Sequence, residues 1–246
     1  MLYAMKSIQG KREQNEDCVL LPQNGAPPLV AVFDGMGGHR AGNTASATAA
    51  RLVSELSEGL GAVAEEPIVG LMQRIEVIVQ EVNARLFSLS CTSKSLKGMG
   101  TTMVLAFATL GEYIAANVGD SRLYHYGAGN FRQVTRDHSY VADLVDAGII
   151  TCEQAHTHPA RNIITRALGT NEQEDIDLYR HPWAEGDILL LCTDGLYDAL
   201  DEAEMRRILE DEQDLEQACD TLVKNALYDG STDNISVILL KNRVEE

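Results

Sequence analysis

Basic side chains are in short supply. Against 37 Asp and Glu the chain sets 20 Lys and Arg, a formal net charge of −17. Such a surface repels a phosphate backbone, which excludes nucleic acid as a partner. It also repels small anions unless a local feature reverses the potential. No apolar run approaches the ~18 uninterrupted residues of a membrane-spanning helix, so no membrane partner is expected. The N-terminal stretch MLYAMKSIQGKREQNED has no apolar segment of signal-peptide length. No CxxC pair occurs among Cys18, Cys91, Cys152, Cys192 and Cys219, which argues against a zinc or dithiol motif. An odd, scattered set of thiols suits a reducing compartment, so the expected location is cytoplasmic. Cys18 and Cys192 lie in apolar runs and read as small buried hydrophobes. No repeat, low-complexity tract or Pro/Ser-rich linker interrupts the chain, and there are only 6 Pro.

What is present is ordinary for a globular protein: 45% hydrophobic and 23% charged residues, with 20 Gly. A single domain over residues 1–246 follows. The pattern predicts a hairpin of Cys18–Leu21 and Leu29–Phe33 across the turn-rich segment 22–28. Two helices follow, over Ala41–Leu60 and from Pro67 through Leu86, each with an apolar face. Four runs, Thr102–Ala108, Tyr113–Val118, Arg122–Tyr126 and Phe131–Val134, read as an antiparallel meander. A short helix is expected at Val141–Ala147, strands at Asp175–Tyr179 and Ile188–Cys192, helices at Glu202–Leu209 and Leu215–Leu227, and a closing strand at Asn234–Leu240. The acidic stretch Glu202–Glu216 reads as a solvated helix face. Helices in consecutive pairs, rather than alternating with strands, point to an α+β fold with antiparallel sheets and helix pairs outside.

The acidic residues fall at strand ends. Glu16 and Asp17 precede Cys18–Leu21, and Asp34 follows Leu29–Phe33, so the hairpin makes Asp17 and Asp34 neighbours. Asp194 closes one strand and Asp233 opens another; antiparallel pairing brings them together. Asp120 ends Tyr113–Val118. Ionised carboxylates packed this closely either take up protons or gather cations. Oxygen donors select hard divalent ions, Mg²⁺ or Mn²⁺, over zinc. Such ions create one positive spot on a negative protein, where a phosphate ester can dock. An Asp beside Gly at a strand end is also a common turn residue, so each position alone carries little.

In order, the segments Ser7–Asp17 (SIQGKREQNED), Val32–His39 (VFDGMGGH), Gly100–Thr102, Asn117–Arg122 (NVGDSR), Asn162–Gly169 (NIITRALG), Cys192–Asp198 (CTDGLYD) and Asp233–Ser236 (DNIS) resemble the metal-dependent protein phosphatases of the PPM class, type 2C, with the bacterial branch the nearer match. The resemblance spans nearly the whole chain. It implies a four-layer αββα sandwich of two antiparallel sheets flanked by helix pairs. It also implies hydrolysis of phosphoserine and phosphothreonine by a hydroxide that bridges two metals and attacks phosphorus in line. Asp34 would bridge the ions, with Glu16 and the Gly35 carbonyl on one and Asp194 and Asp233 on the other. Asp17, counted with the metal-binding set, and Asp198 would hold metal-bound waters, with Asn234 beside them in the outer shell. Asp120 would bind a third, weaker ion, and Arg12 would grip the substrate phosphate. The implied substrates are phosphoproteins made by a bacterial Ser/Thr kinase, and the implied protein is a monomer.

Two departures from the family pattern stand out. The eukaryotic branch has His after Asp-Gly as a candidate general acid; here Met36 stands there and cannot transfer a proton. His39 is then the candidate general acid, with a metal-bound water as the alternative. The Arg12 segment is one residue shorter than is usual among bacterial relatives. Residues 137–161 correspond to the family's variable flap, and His138, His156 and His158 within it read as ordinary loop residues rather than a zinc site. An alternative function is a non-catalytic phosphoprotein-binding module on the same fold, but no carboxylate of the set is missing. A Ca²⁺-binding protein lacks its D-x-D-x-D-G loop.

Overall fold

The computed structural model describes the chain except residues 23–28, 61–66, 213 and 244–246 and the side chains of His39 and Arg40. The turn expected at 22–28 therefore lies almost wholly outside the described residues, as does the His39 side chain. Among the described residues there are two antiparallel sheets. The first has the order β1 (Leu2–Ile8), β11 (Ile235–Lys241), β10 (Ile188–Cys192), β7 (Arg122–Gly127), β8 (Asn130–Gln133). The second runs β2 (Asp17–Leu20), β3 (Leu29–Met36), β5 (Met103–Ala108), β6 (Glu112–Val118), β9 (Asp177–Pro182), with the two-residue β4 (Gly100–Thr101) on the end of β3.

Alternation explains the layers. In β3, Leu29, Ala31 and Phe33 join the core under helices α1 (His39–Leu56) and α2 (Ile68–Ser90), while Val30 and Val32 face the first sheet. In β10, Leu189 and Leu191 face the second sheet; Ile188, Leu190 and Cys192 turn to the one-turn helix α5 (Asp194–Tyr197) and to α6 (Glu202–Asp211) and α7 (Leu215–Tyr228). Strands buried on both faces read as continuous apolar runs, and successive side chains enter different cores. The result is the expected four-layer sandwich. Small residues, Val30, Val32, Val104, Ala106 and Ala115, let the sheets approach. The acidic stretch beginning at Glu202 is indeed a solvated face: Met205, Ile208 and Leu209 of α6 are buried and most of its acids are exposed.

The meander does not form. β5 pairs with β6, and β7 with β8, but β6 and β7 belong to different sheets. After Val118 the chain crosses between layers through Gly119, Asp120 and Ser121, with Gly119 at φ +105°. A tight hairpin would have kept both strands in one sheet; instead β9 occupies the place beside β6. Strand β1 was not anticipated. Its pairing with β11, from Leu2↔Lys241 to Ile8↔Ile235, is long-range and leaves only partial alternation in sequence. β9 begins two residues later than expected. The flap contains α3 (Tyr140–Asp146) and a short α4 (Cys152–His156) capped by Thr151.

Helix α2 offers a test of the packing. Ile75 is 1% exposed and Val77 is 67% exposed. Ile75→Ala is expected to cost about 2–5 kcal/mol in denaturant unfolding, and Val77→Ala under about 0.5 kcal/mol. Equal losses would contradict the assigned buried face.

Candidate active site

The chain crossings that carry the acidic residues of the sequence motifs lie at one end of the two sheets. In the β2–β3 ladder Asp17 is directly opposite Asp34. Asp194 follows β10 and Asp233 precedes β11, and these strands pair antiparallel, Cys192 opposite Val237. Asp120 occupies the crossover from β6 to β7, and Arg12 and Glu16 the crossover from β1 to β2. Asp17, Asp34 and Asp233 thus meet Asp194 and Asp120 because both sheets end there.

Backbone and hydroxyl contacts fix each position. Asp34 N–H donates to Thr102 Oγ1 (2.9 Å), and the Asp34 carbonyl accepts from Thr102 N–H (2.8 Å) and Thr101 Oγ1 (2.9 Å). Thr102 Oγ1 also bonds Ser121 Oγ at 2.7 Å. Asp17, from the second sheet, accepts on Oδ2 from Thr193 Oγ1 (2.9 Å) and Ser236 Oγ (2.7 Å) of the first, so one carboxylate ties the sheets together. Asn234 is saturated by the β1–β2 crossover. It accepts from Glu16 N–H (2.8 Å) and donates to the Gln9 (2.8 Å) and Gln14 (2.9 Å) carbonyls. It thereby shapes the loop bearing Arg12 and Glu16.

Glycines allow the close approaches here. A Cβ on Gly35 would strike the Gly42 and Glu16 carbonyls, and one on Gly42 would strike the Glu16 carboxylate. The start of α1 thus presses against Glu16 and the end of β3.

Electrostatics single out the same residues. As whole residues Asp17, Asp34 and Asp194 are half-buried, but their carboxyl groups lie deep. Asp17 Oδ1 and Asp194 Oδ1 are buried without a hydrogen-bond partner. Burial, then the charges of Asp17, Asp194, Asp120 and Asp233, holds the Asp34 carboxyl well above its ordinary range. Burial and the charges of Asp120, Asp233, Asp198 and Asp17 do the same to Asp194. Asp17 is pushed up to about 7, chiefly by burial, although Ser236 and Thr193 oppose the shift. Asp120 is also pushed up to about 7, by burial and then Asp137. Asp198 is raised by burial against the opposing charges of Arg161 and Arg122.

The acids open into a pocket of about 370 Å³ lined by Arg12, Glu16, Asp34, Gly35, Asp120, Asp194, Asp233 and Asn234. Arg12, with 59% of its side chain exposed, reaches the mouth and donates to Asp233 Oδ2 at 2.5 Å. Asp198 is absent from this lining; it faces a cavity of about 660 Å³ beneath the flap, which shares Asp120, Asn162 and Asp194 with the first. The donors are all oxygen, and two buried carboxylate oxygens lack partners, which fits a hard divalent cation. Among the described residues no three acidic, His or Cys side chains already converge on one point, so the Gly35 carbonyl and water would complete the shells. Within the motifs, nothing local beyond a lone hydroxyl beside a strand-end acid marks Thr102, Thr193 or Ser236 as partners of the acids. Of the flap histidines, His138 is fully buried while His156 and His158 lie nearer the surface.

Asp17 and Asp120, raised from 3.8 to about 7, keep protons in the folded state that the unfolded chain releases above about pH 4. Folded protein then binds more protons than unfolded protein across about pH 4–7, so stability falls as pH rises through that window. In EDTA the melting temperature is expected to drop by several degrees from pH 5 to pH 8, at ~2–4 °C per kcal/mol, and Mn²⁺ to restore it at pH 8. A melting temperature that rises over this range in EDTA would contradict the assigned repulsion.

A family model described as protein phosphatase 2C matches residues 6–229. The serine/threonine phosphatase stp of Listeria innocua is 39% identical over 235 residues, 95% of this chain and 92% of that protein. The crystal structure of serine/threonine phosphatase Stp1 from Staphylococcus aureus superposes with a TM-score of 0.87 at 34% identity, covering 99% of this chain and 95% of that one. The catalytic domain of the serine/threonine protein phosphatase PstP, solved in complex with two manganese ions, superposes with a TM-score of 0.83 at 33% identity over 97% and 96% of the two chains. With the acids at the end of a two-sheet sandwich, these likenesses agree: the chain belongs to the protein phosphatase 2C family and is a protein serine/threonine phosphatase.

Proposed function

We propose that phosphoserine and phosphothreonine esters of proteins are hydrolysed at the acid cluster, with Mg²⁺ or Mn²⁺ held there. The observation that carries the reading is that Asp34 and Asp194, which approach from different sheets, are both held well above the ordinary carboxylate range by burial and neighbouring acids, together with the orphaned Asp194 Oδ1. Asp34, Glu16, the Gly35 carbonyl, Asp194 and Asp233 would hold the ions. Asp120 would serve a third ion, and Asp17 and Asp198 would orient water. When bound, such ions lower the pKa of water to supply a nucleophile and neutralise the phosphoryl oxygens.

The chain's own groups do the rest. Arg12 offers a planar fork of donors to two phosphate oxygens at the pocket mouth. Thr101 and Thr102 prevent Asp34 from moving, and Asn234 holds the crossover that aims Arg12. Ser236 and Thr193 keep Asp17 Oδ2 occupied, while its Oδ1 is buried without a hydrogen-bond partner. His39 is the candidate to protonate the leaving alkoxide. The natural substrates would be products of a Ser/Thr kinase sharing a cytoplasmic location, and a monomer suffices, since each group named comes from one chain.

Purified protein with Mn²⁺ is expected to release phosphate from para-nitrophenyl phosphate and from a phosphothreonine peptide. Asp194→Asn is expected to lower kcat about a hundredfold or more and to weaken Mn²⁺ binding in parallel. Arg12→Ala should chiefly raise KM for the peptide. Full turnover by Asp194→Asn would rule out its assignment, and no turnover by the unaltered chain would rule out the reading.

A further inference from the structure

Asp120 sits on a three-residue crossover that is clamped from two sides. On one side, a Cβ on Gly119 would lie 2.7 Å from Thr102 Cβ, and Ser121 bonds the Thr102 hydroxyl that also receives Asp34 N–H. On the other side stands His138, buried in the loop that opens the flap. Its backbone N–H donates to the Gly119 carbonyl at 2.9 Å, and its ring Nδ1 accepts from Gly119 N–H at 3.1 Å. Asn117 Nδ2 adds a bond to the same carbonyl at 3.2 Å.

The acceptor role of Nδ1 fixes the tautomer. An N–H aimed at Nδ1 requires a lone pair there, so the ring proton sits on Nε2, facing Asp177 Oδ2 at 3.2 Å; Arg166 Nη1 also lies 3.2 Å from Nε2 and, with the proton there, donates to Asp177 rather than to the ring. Asp177 is itself held by Arg166 at 2.9 Å. The charged groups facing the ring are therefore Asp177, Arg166 and Arg136. Burial lowers the pKa of His138, in keeping with a neutral imidazole. The His138 carbonyl accepts from Thr165 N–H at 2.8 Å, and Ser139 caps α3. One residue thus joins the flap, β9 and the Asp120 crossover.

We propose that His138 is a positioning residue: through Nδ1 it holds Gly119 in its left-handed conformation and so sets where Asp120 stands relative to Asp34. The proposal rests on the metal-centre reading above, in which Asp120 serves the weakest-held ion. Loss of the Nδ1 acceptor leaves a buried Gly119 N–H unpaired and lets the crossover relax. Outer groups that orient a metal-binding carboxylate affect affinity or activity by ~10–100-fold.

Two substitutions separate the ring's two ends. Asn carries its amide oxygen two bonds from Cβ, where Nδ1 stands, whereas Gln carries its amide nitrogen three bonds out, where Nε2 stands. His138→Asn is expected to keep kcat and Mn²⁺ titration within about twofold of wild type. His138→Gln is expected to weaken the weakest Mn²⁺ binding event, followed by electron paramagnetic resonance of free Mn²⁺, about tenfold. It should lower kcat by a similar factor with KM for the phosphothreonine peptide unchanged. Equal behaviour of the two variants overturns the proposal while leaving the metal centre standing; a wild-type protein that binds no Mn²⁺ removes the metal centre itself. If neither variant folds, nitrogen-15 NMR of the wild-type ring decides. An unprotonated Nδ1 coupled to Gly119 N–H supports the proposal, and a protonated Nδ1 overturns it.

Discussion

Carboxylates brought together out of water repel one another, and the rest of this structure is arranged around that repulsion. Asp34 and Asp194 are each held above the ordinary carboxylate range by burial and by the other acids. A fold with no use for the cluster would gain stability by replacing either with Asn. The cost is tolerable only if protons or cations neutralise it, which makes the cluster a site rather than a surface patch. On a chain of net charge −17, neutralisation also removes the barrier to an anionic substrate at this one place.

Two packed sheets are what make the convergence rigid. The inner core of Val, Ala and Leu side chains brings the sheets together with little freedom to slide. Each acid then stands at the end of a strand whose register is set by its neighbours, Asp17 by Asp34's strand and Asp194 by β11. Hydroxyl groups complete the frame across the layers: Thr193 and Ser236 hold Asp17, and Thr102 joins Asp34 to Ser121. The site is therefore a property of the sandwich, and its loops, those of Arg12 and Asp120, are pinned by Asn234 and His138.

Much of this was legible beforehand because it depends on local pattern. The Asp17–Asp34 pairing follows from a hairpin with alternating apolar residues, and β10 was found with its ends intact because a fully buried strand is an unbroken apolar run. What the pattern did not reveal depends on distant partners. β1 is defined by β11, more than two hundred residues away, and the split of the supposed meander depends on β9 taking the place beside β6. The hydroxyl ties were also invisible, since Ser236 in a strand looks like any small polar residue until Asp17 is seen beside it. His138 read as a loop residue because nothing local marks a buried acceptor for Gly119 N–H.

Membership of the protein phosphatase 2C family gives the cluster a chemical purpose, and the likeness to a manganese-bound relative gives a direct way to examine it. The decisive measurement is anomalous diffraction at the manganese edge from crystals of this chain grown with Mn²⁺. Two strong peaks flanking the Asp34 carboxylate, one also against Asp194 and Asp233, are the expected result. A map with no manganese among these three side chains, from crystals that diffract well enough to show them, would contradict the account.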